Sequence, residues 1–298
     1  MKILVTGASG FIGRALVREL AQRHEVVALA RGRPELDVPV VRGDFQQYED
    51  LLGLDEHRFD GAVHLGAVTG GAPEHTAIMV NAVGTRTLLH YLRHRGCRKF
   101  VTASSIAAVG FQTTAFRPRQ LPIPDEHPCL DRDGYGVSKY LMEELTRYVQ
   151  RQDPGLDIIN MRLSSVCPDD APRPLVKPGP LGQWALGSIT MMTLADAVAA
   201  FTAAVESPLK PGLRILNTTG PRAWVAAPTA EVLRSWWGEE VDLSWYEQAG
   251  HEWDSAYDVR RIEQELGFVA GHLPTRDGPP APIRTDRRTR LPVQAGAP

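Results

Sequence analysis

The sequence predicts an α/β protein in which a doubly wound parallel sheet carries a small C-terminal α/β cap. Its first half alternates short β-branched runs with amphipathic patterns of 10 to 20 residues. That alternation is typical of βαβ units around a parallel sheet. The first β-branched run also leads through Thr6-Gly7-Ala8-Ser9-Gly10 into a helical pattern, which is the sharp strand-to-helix turn of a Rossmann-like fold.

Six β-branched runs predict strands, and three amphipathic patterns predict the helices between them. The strands are expected at residues 3–5, 26–29, 38–41, 62–65, 100–102 and 158–161. Apolar residues recur every three or four positions in the helices, which are expected at residues 11–20, 76–92 and 135–149. Such units build one parallel sheet with helices on both faces.

The alternation weakens after residue 161. Five prolines lie between Pro168 and Pro180, and we expect a loop there because proline interrupts helices and inner strands. Regular patterns then predict one strand at 213–216. They also predict helices at residues 193–206, 228–237 and 259–266.

Composition places the chain among globular proteins of balanced charge. It has 298 residues, 33 Lys and Arg against 35 Asp and Glu, and 43% hydrophobic residues. This balance argues against nucleic acid as a partner and against a disordered chain. The apolar runs are too short for a signal peptide or a membrane span. Three scattered cysteines predict no disulfide framework, so we expect a cytoplasmic protein without a metal site.

The turn after the first strand predicts a binding site for a diphosphate. Its glycines let the backbone approach a ligand and let the helix pack on the sheet. A helix N-terminus also offers unpaired N–H groups and a partial positive charge. A tight turn without a ligand is the alternative. The residues expected to bind a dinucleotide here are Gly7, Ser9, Gly10, Phe11, Ile12 and Gly13.

The end of the second strand bears on which nicotinamide dinucleotide is bound. An acidic residue at this place would accept hydrogen bonds from the ribose hydroxyls of NAD. The chain instead has Ala30, followed by Arg31 and Arg33, and guanidinium groups favour the 2′-phosphate of NADP. We therefore expect NADP in preference to NAD, with Arg31 as its contact. A solvated basic loop is the alternative.

Residues after the third and fourth strands complete the predicted cofactor site. Asp44, next to Phe45, is expected to accept a hydrogen bond from the adenine amine, although an Asp that only forms a turn would look the same. His64 is interpreted as a packed strand residue. The small segment after it leaves room for ribose or diphosphate and consists of Leu65, Gly66 and Ala67.

These features divide the chain into three parts. Residues 1–163 form the predicted dinucleotide-binding Rossmann domain, to which residues 187–217 return. Residues 164–186 and 218–270 form the predicted substrate-binding cap. The last part, residues 271–298, holds six prolines and five arginines, so we expect an extended or disordered tail.

A tyrosine and a lysine four residues apart predict proton-transfer chemistry. Tyr135 and Lys139 share one face of a predicted helix. An ammonium near the phenol would lower the pKa of Tyr135 toward the range used in acid–base catalysis. Ser104 and Ser105 end the fifth strand and offer hydroxyls to a substrate carbonyl. Ordinary surface helices also carry Tyr and Lys at this spacing, so the pair gains meaning only beside the glycine-rich turn.

Together these residues resemble the extended short-chain dehydrogenase/reductases, the group that holds NAD-dependent epimerases and dehydratases. The resemblance covers about residues 1–268. It rests on the glycine-rich turn, Gly43-Asp44, His64-Leu65 with Ala67, Asn81 with Gly84-Thr85, Ser104-Ser105 with Gly110, Tyr135 with Lys139, and Asp196 opening a helix.

The resemblance implies catalytic roles. Ser105, counted back from Gly110, would be the catalytic hydroxyl, with Ser104 as the second choice. Tyr135 would be the general acid/base. Lys139 would set the pKa of the phenol and bind the nicotinamide ribose.

Further implications concern support and assembly. Asn81 would belong to the network that supports the cofactor site, with polar packing inside a helix as the alternative. Asp196 would be structural. The resemblance also implies a homodimer through the helices that begin at Thr76 and Tyr135.

The chain departs from two branches of the family. Dehydratases carry Asp-Glu directly after the catalytic hydroxyl, whereas Ile106 and Ala107 stand here, so a 4,6-dehydratase is disfavoured. Nucleotide-sugar epimerases hold the substrate diphosphate with an Arg shortly before the helix Asp, and residues 188–192 contain none. Arg173 or Lys177 could take over that role.

The predicted function is that of an NAD(P)-dependent oxidoreductase. It would transfer hydride between the nicotinamide and a secondary alcohol or ketone carbon of a small, sugar-like substrate, with Tyr135 as general acid/base. A nucleotide-sugar epimerase with retained NAD, similar to UDP-sugar 4-epimerases, is the alternative, and a non-catalytic NAD(P)-binding sensor is the second alternative. Substrate-lining or core positions are assigned to Trp184, Met191, Met192, Trp224 and Trp253.

Overall fold

Parallel strands form the centre of the protein. The computed structural model describes residues 1–110, 113–130, 132–170, 173–183 and 185–272. The strands in this part of the chain are β1 (Lys2–Thr6), β2 (Glu25–Ala30), β3 (Val40–Arg42), β4 (Gly61–His64), β5 (Lys99–Ser105), β6 (Asp157–Leu163), β7 (Ser165–Cys167), β8 (Met191–Thr193) and β9 (Gly212–Thr218).

The strand order shows where a ligand can bind. Seven strands pair in the order β3-β2-β1-β4-β5-β6-β9, and every pair is parallel. The order reverses between β1 and β4, where Thr6 pairs with His64. A crevice opens outside the carboxyl ends of the strands at such a reversal. The predicted doubly wound sheet is confirmed, and each of the seven predicted strands overlaps one of these.

Helices cover both faces of the sheet. In chain order they are α1 (Phe11–Leu20), α2 (Tyr48–Leu51), α3 (Glu74–Ala77), α4 (Thr85–His94), α5 (Gly134–Gln152), α6 (Ala185–Ile189), α7 (Leu194–Glu206), α8 (Thr229–Trp237) and α9 (Arg260–Leu266). α1, α7 and α9 pack on one face, and α4 and α5 pack on the other. In the described residues, none of these helices has the length and apolar character needed to cross a bilayer.

The sequence of α1 shows why it lies close to the sheet. Leu16, Val17 and Leu20 share one side of the helix and are buried in the core beneath it. Gly13 lies on the same buried side, so the first turn approaches the end of β1 closely. The predicted helix at residues 11–20 is confirmed.

One continuous helix runs from residue 74 to residue 94 with a π-helical segment in its middle. The π-helix Ile78–Gly84 joins α3 to α4. Its wider turns bury Asn81 and Ala82. The predicted helix at residues 76–92 is confirmed, but the π-helical segment was not predicted, because periodicity at three and four residues does not reveal it.

A separate apolar core lies in the cap. It contains Leu233, Trp236 and Tyr246 from the second half of the chain. Ile106 and Phe116 belong to the same core. The segment after β5, which the predicted boundary at residue 163 assigns to the Rossmann domain, therefore packs with the cap.

A two-stranded parallel sheet lies beside the main one and was not predicted. Ser165 pairs with Met191, and Cys167 pairs with Thr193, so β7 and β8 bracket the proline-containing segment. Three-residue strands are too short to show alternation in a sequence. The short helix α6 was missed for the same reason.

The predicted tail, residues 271–298, lies outside the described residues from residue 273 onward. The Asp196 carboxylate accepts hydrogen bonds from Gly271 N at 3.1 Å and from His272 N at 2.9 Å. It also lies 2.7 Å from His272 Nδ1. Asp196 therefore fixes the chain against the start of α7, and the structural role expected of it is confirmed.

Candidate active site

A cavity opens at the carboxyl edge of the sheet, where β1, β2 and β4 end. Its volume is about 230 Å³, and it lies at the reversal of strand order, where nucleotides bind in sheets of this type. Nine of the predicted cofactor residues line it, namely Gly7, Ser9, Gly10, Arg31, Asp44, Phe45, Leu65, Gly66 and Ala67. The lining residues that the sequence analysis missed include Gln46, Val68 and Val80.

Three glycines keep side chains out of the turn beside this cavity. Gly7 has a φ of +68°, and a Cβ atom there would lie 2.6 Å from the Leu65 carbonyl carbon. A Cβ atom on Gly13 would lie 2.1 Å from the Gly7 carbonyl oxygen. One on Gly66 would lie 2.7 Å from the Phe45 ring. Larger residues would overlap these atoms, so the backbone stays open to a ligand.

The N-terminus of α1 fits an anion. Gly10 caps the helix without a side-chain hydrogen bond, and the first turn contains no acidic residue. Gly10 N donates to the Gly7 carbonyl at 2.9 Å, and Arg14 Nε donates to the Ser9 carbonyl at 3.0 Å. A rigid turn with uncompensated helix N–H groups suits the diphosphate of a dinucleotide.

Phe11, Ile12 and Gly13 support this turn and do not line the cavity. The Phe11 side chain is 49% exposed, Ile12 packs against the apolar core, and Gly13 is buried. The Phe11 and Ile12 side chains therefore form no part of the cavity wall. Any contact they make with a cofactor would come from backbone N–H groups of the first helical turn, and this stays a prediction.

The end of β2 places a cation at the cavity. Ala30 and Arg31 both line it, so an aliphatic side chain stands where an acidic one would bind the ribose of NAD. Arg42 Nε donates to the Arg31 carbonyl at 3.3 Å. Arg31 and Arg42 also border an adjoining hollow together with Asp44. Arg31 thus lies beside the place predicted for the adenosine ribose.

Asp44 is partly engaged within the protein. Its Oδ1 accepts hydrogen bonds from Gln46 N at 3.0 Å and from Gln46 Nε2 at 3.1 Å. Asp44 N donates to Asp50 Oδ2 at 2.7 Å. A carboxylate can accept further hydrogen bonds, so the predicted bond to an adenine amine is compatible with this arrangement.

His64 is a fully bonded strand residue. Its Nδ1 lies 2.6 Å from Thr6 Oγ1, and its Nε2 lies 2.9 Å from Thr85 Oγ1. Thr85 donates its own proton to the Asn81 carbonyl at 2.6 Å, so Nε2 carries the ring proton and Nδ1 accepts from Thr6. Burial, with a smaller effect from the Lys139 ammonium, lowers the pKa of His64 to about 3. The interpretation of His64 as a packed residue is confirmed.

Asn81 lies behind the cavity and not on its wall. Its Oδ1 accepts from Val68 N, and its Nδ2 donates to the Val68 carbonyl and to Ser138 Oγ, each at 2.9 Å. Ser138 Oγ donates to the Tyr135 carbonyl at 2.7 Å. Because both amide protons are used within the protein, Asn81 positions the loop after β4 and the start of α5. These bonds agree with the supporting network expected for Asn81, and any contact of Asn81 with a cofactor stays a prediction.

Ser105, Tyr135 and Lys139 meet at the carboxyl end of β5. The Ser105 side chain lies close enough to the Tyr135 hydroxyl to lower its pKa. Lys139 Nζ lies 5.9 Å from the centroid of the Tyr135 ring and donates to the Ala103 carbonyl at 2.8 Å. Ser105 Oγ also accepts from Ala107 N at 3.1 Å, which fixes its orientation. The structure therefore brings the three predicted catalytic residues together.

Burial dominates the pKa values in this cluster. It raises the pKa of Tyr135 above its ordinary value, while the nearby Ser105 hydroxyl acts in the opposite direction. The net pKa of Tyr135 is therefore raised and not lowered as predicted, because desolvation of the phenol outweighs the opposing effect. Burial also lowers the pKa of Lys139 to about 8, against the opposing effect of Glu143.

Ser104 points to the other side of β5 and joins a buried ion pair. Its Oγ donates to Glu143 Oε1 at 2.6 Å. Arg162 binds both oxygens of Glu143, at 2.9 and 2.8 Å, and donates to the Asp125 carbonyl at 2.8 Å. Since successive strand residues face opposite ways, Ser105 is the hydroxyl left for a substrate.

Asp133 begins α5 and orients Tyr135, a role that was not predicted. Its Oδ1 accepts from Tyr135 N at 2.8 Å and from Gly136 N at 2.9 Å. An Asp just before a helical pattern is a typical N-cap, so the sequence contains the signal for it. A Cβ atom on Gly134 would lie 2.7 Å from Glu74 Cβ, so the start of α5 is also held against α3.

Part of the predicted apolar lining is core. Met192 is buried beneath α7, and Trp224 is 2% exposed with its Nε1 donating to the Arg173 carbonyl at 3.3 Å. Trp253 packs against the core of the cap. Trp184 lies outside the described residues. The core-packing alternative therefore describes Met192 and Trp224.

The sequence matches one family model and several characterised proteins. The model describes the NAD dependent epimerase/dehydratase family and matches residues 3–174. UDP-glucose 4-epimerase 1 of Oryza sativa subsp. japonica is 29% identical over 182 residues, which cover 54% of this chain and 50% of that protein. UDP-glucose 4-epimerase of Mus musculus is 26% identical over 189 residues, which cover 54% and 52%. The match thus spans about half the length of these relatives.

Solved structures share the fold over most of the chain. A short-chain dehydrogenase/reductase superfamily protein of Agrobacterium tumefaciens with bound NAD has a TM-score of 0.68 and 21% identity, covering 92% of this chain and 93% of that one. UDP-glucose 4-epimerase of Bifidobacterium longum with NAD⁺ and UDP has a TM-score of 0.69 and 18% identity, covering 92% and 94%.

The match from residue 3 to residue 174 includes the glycine-rich turn and the Ser105, Tyr135 and Lys139 cluster. The same segment carries the cavity at the reversal of strand order. The family assignment supports the prediction of an enzyme that uses a nicotinamide dinucleotide. The chain therefore belongs to the NAD dependent epimerase/dehydratase family.

Proposed function

We propose that the protein is an NAD-dependent epimerase that inverts a secondary hydroxyl of a nucleotide sugar. Its relatives are named UDP-glucose 4-epimerases, and structural neighbours contain NAD together with UDP or a UDP-sugar. The comparisons favour this alternative over net oxidation or reduction of a small alcohol, which the sequence analysis placed first. The observation that carries the proposal is the convergence of Ser105, Tyr135 and Lys139 at the carboxyl end of β5, at the same edge of the sheet as the cavity beside the glycine-rich turn.

The residues of this chain supply the proton chemistry that inversion requires. Tyr135 takes the proton of the substrate hydroxyl as the carbinol carbon is oxidised. It returns the proton after the keto intermediate has rotated within the site to present its opposite face. Ser105 donates a hydrogen bond to the keto oxygen, and Lys139 stabilises the phenolate. When bound, NAD supplies the hydride acceptor and a positive charge that counters the effect of burial on the Tyr135 pKa.

Elimination chemistry has no support at this site. Ile106 and Ala107 follow the catalytic serine, and both are buried apolar residues. Neither can protonate a leaving hydroxyl or remove a neighbouring proton. Without an acid and a base at these two positions, 4,6-dehydratase activity remains disfavoured.

The residue that binds the substrate diphosphate would lie outside residues 188–192, where nucleotide-sugar epimerases carry an arginine. Residues 188–192 contain no arginine, and Thr190 and Met192 within them are buried. Arg173 lies on the proline-containing loop, where its carbonyl is fixed by Trp224 Nε1. We propose Arg173, with Lys177 as the second choice, as the diphosphate contact.

A second candidate, an NADP-dependent reductase, is favoured by Arg31. A guanidinium at the cavity next to Ala30 suits a 2′-phosphate, and a reductase exchanges its cofactor at every turnover. An epimerase instead regenerates its cofactor within each cycle and can retain it. Cofactor identity and retention therefore separate the two functions.

We also propose a homodimer through α5 and the helix at residues 74–94. Met79, Val83 and Tyr148 are exposed apolar side chains on these helices, with 42%, 39% and 42% exposure. Neighbouring exposed apolar groups suit contact with a second copy. Sedimentation should show a dimer that Val83→Lys dissociates, whereas Leu209→Lys, on an apolar residue exposed elsewhere, should leave it intact.

Mass spectrometry of the nicotinamide released on denaturing freshly purified protein tests the proposed function. Close to one NAD per chain, together with interconversion of UDP-glucose and UDP-galactose, is the expected result. Weakly held NADP and NADPH-dependent reduction of a carbonyl substrate would instead establish the reductase. Absence of both activities with a tightly held dinucleotide would support the sensor alternative.

A further inference from the structure

Two histidines on α4 point their ring nitrogens at each other. His90 and His94 are four residues apart, so they share one face of the helix. Their Nε2 atoms are 3.3 Å apart, and their ring centroids are 4.5 Å apart with an interplanar angle of 64°. No metal site was predicted from the sequence, although this His-x-x-x-His spacing serves as a zinc-binding pair when it occurs on a helix.

The separation of the two nitrogens matches one edge of a zinc coordination tetrahedron. With Zn–N bonds of about 2.0–2.1 Å and tetrahedral angles, two ligand nitrogens lie about 3.3 Å apart. We propose that His90 and His94 chelate a divalent transition-metal ion, with zinc as the ion tested. The proposal stands apart from the proposed enzymatic function.

The charges beside the pair limit its affinity for a metal ion. Arg86 and Arg93 lie on the same helix. Their positive charges weaken the attraction for a cation, which argues for an affinity in the range of roughly 1–100 µM and against a permanently bound ion.

The remaining coordination positions fall to solvent or to a second copy of the chain. In the part of the chain that the structure describes, no cluster of three or more His, Cys, Asp and Glu side chains could hold a metal. Met79 and Val83, which the proposed dimer would bury, are exposed at earlier turns of this helix. Two symmetry-related pairs would complete a four-histidine site.

The pair is remote from the proposed active site. α4 leads to β5, so His94 lies toward the amino end of that strand, at Lys99, whereas Ser105 ends it. A metal ion there would join the last two turns of α4 without touching the proton-transfer cluster. We therefore expect zinc to stabilise the fold and to leave turnover unchanged.

Competition with a chromophoric zinc chelator tests the proposal on the full chain. Wild type should bind zinc at least about tenfold more tightly than His90→Gln or His94→Gln, because each variant leaves only one imidazole. Exposed His75 and partly exposed Cys129 provide the control variants His75→Gln and Cys129→Ser, which should bind zinc like wild type. Circular dichroism checks that each variant is folded.

Native mass spectrometry then gives the ratio of zinc to chain. One ion per chain, or one per two chains, supports the site if the ion is lost in both His90→Gln and His94→Gln. Equal zinc affinity of wild type and these two folded variants would overturn the proposal. So would loss of binding in the His75 or Cys129 variant alone.

Discussion

The Lys139 ammonium lies 5.9 Å from the centroid of the Tyr135 ring, yet its hydrogen bond goes to the Ala103 carbonyl of β5 at 2.8 Å. The lysine is therefore anchored to the strand that carries Ser105, and the phenol lies next to that serine. Ser105 and Lys139, the two groups next to the Tyr135 phenol, are therefore both positioned by β5. This arrangement places the phenol between a hydroxyl and a cation without an ion pair.

Replacing Tyr135 by Phe should remove the proton-transfer group and leave dinucleotide binding nearly unchanged. We expect turnover to fall by at least about a hundredfold, as for the loss of a general acid–base group, while dinucleotide affinity stays within about twofold. Single-turnover kinetics and cofactor titration measure the two effects. Tyr148→Phe, on an exposed residue of the same helix, is the control, and turnover of Tyr135→Phe within about fivefold of wild type would contradict the assignment.

Lys139→Met should make the ligand-free protein more stable at neutral pH. The folded pKa of Lys139 is about 8, below its ordinary value of 10.5, so the buried ammonium carries its full cost below about pH 8. As the pH rises from about 8 to 10.5, the folded protein has released this proton and the unfolded chain still binds it, so wild-type stability rises. We expect Lys139→Met to gain about 1–3 kcal/mol at pH 7 and to lose activity.

Urea denaturation at pH 7 and near pH 10 measures this difference, which should shrink at the higher pH. Exposed Lys177 provides the control Lys177→Met, for which no pH-dependent gain is expected. A Lys139→Met variant that is less stable than wild type at pH 7 would show that the bond to Ala103 outweighs the cost of burial.

Glu143→Gln should destabilise the fold strongly. The change leaves the buried Arg162 guanidinium without its bidentate partner, and an unpaired buried charge costs roughly 3 kcal/mol or more. The neighbouring Glu144 forms an exposed ion pair with Arg147, so Glu144→Gln should cost at most about 0.5 kcal/mol. Chemical denaturation compares the two, and equal small effects would refute the importance of the buried pair.

Gly13→Ala should damage the dinucleotide site. The new methyl group would lie 2.1 Å from the Gly7 carbonyl oxygen, so the turn must move away from α1, at a cost of about 1–3 kcal/mol in stability. We expect dinucleotide affinity to fall at least about tenfold. Gly32→Ala is the control, because no atom lies within 4 Å of its added Cβ. Titration of cofactor fluorescence checks both, and unchanged affinity in Gly13→Ala would contradict the expectation.

Arg31→Ala tests the contact at the adenosine ribose. If this guanidinium binds a 2′-phosphate, affinity for NADP should fall roughly 10- to 100-fold, as for a charge-assisted hydrogen bond, while affinity for NAD stays unchanged. Arg33→Ala is the control two residues away. Isothermal titration with both dinucleotides measures the effect, and an equal loss for NAD and NADP would reject Arg31 as the selective contact.

The sequence predicts the sheet and α1 well because burial alone determines those patterns. β1, for example, is buried at four of its five residues, so its apolar run Ile3-Leu4-Val5 is unambiguous. Ser105 and Tyr135 could be placed together because both begin or end regular elements. The direction of the Tyr135 pKa could not be predicted, since it depends on desolvation by residues distant in the chain.

Side-chain direction explains the other differences. Whether Ser104 or Ser105 faces the site depends on the pleat of β5. Ser104 bonds instead to the Glu143–Arg162 ion pair, whose two residues are 19 apart in the chain. Asn81 could be recognised as part of a network. Its partners Val68 and Ser138 lie on separate segments, so its position behind the cavity required the structure.

The π-helical segment at Ile78–Gly84 changes the directions in which side chains point along one helix. A π turn holds an additional residue, so side chains after it are rotated relative to an uninterrupted α-helix. This rotation lets Asn81 reach the loop after β4 while Leu88 and Leu92 still point at the sheet. Deleting one residue here would rotate one end of the helix relative to the other. Asn81 could then no longer bond to the loop after β4 while Leu88 and Leu92 pack on the sheet.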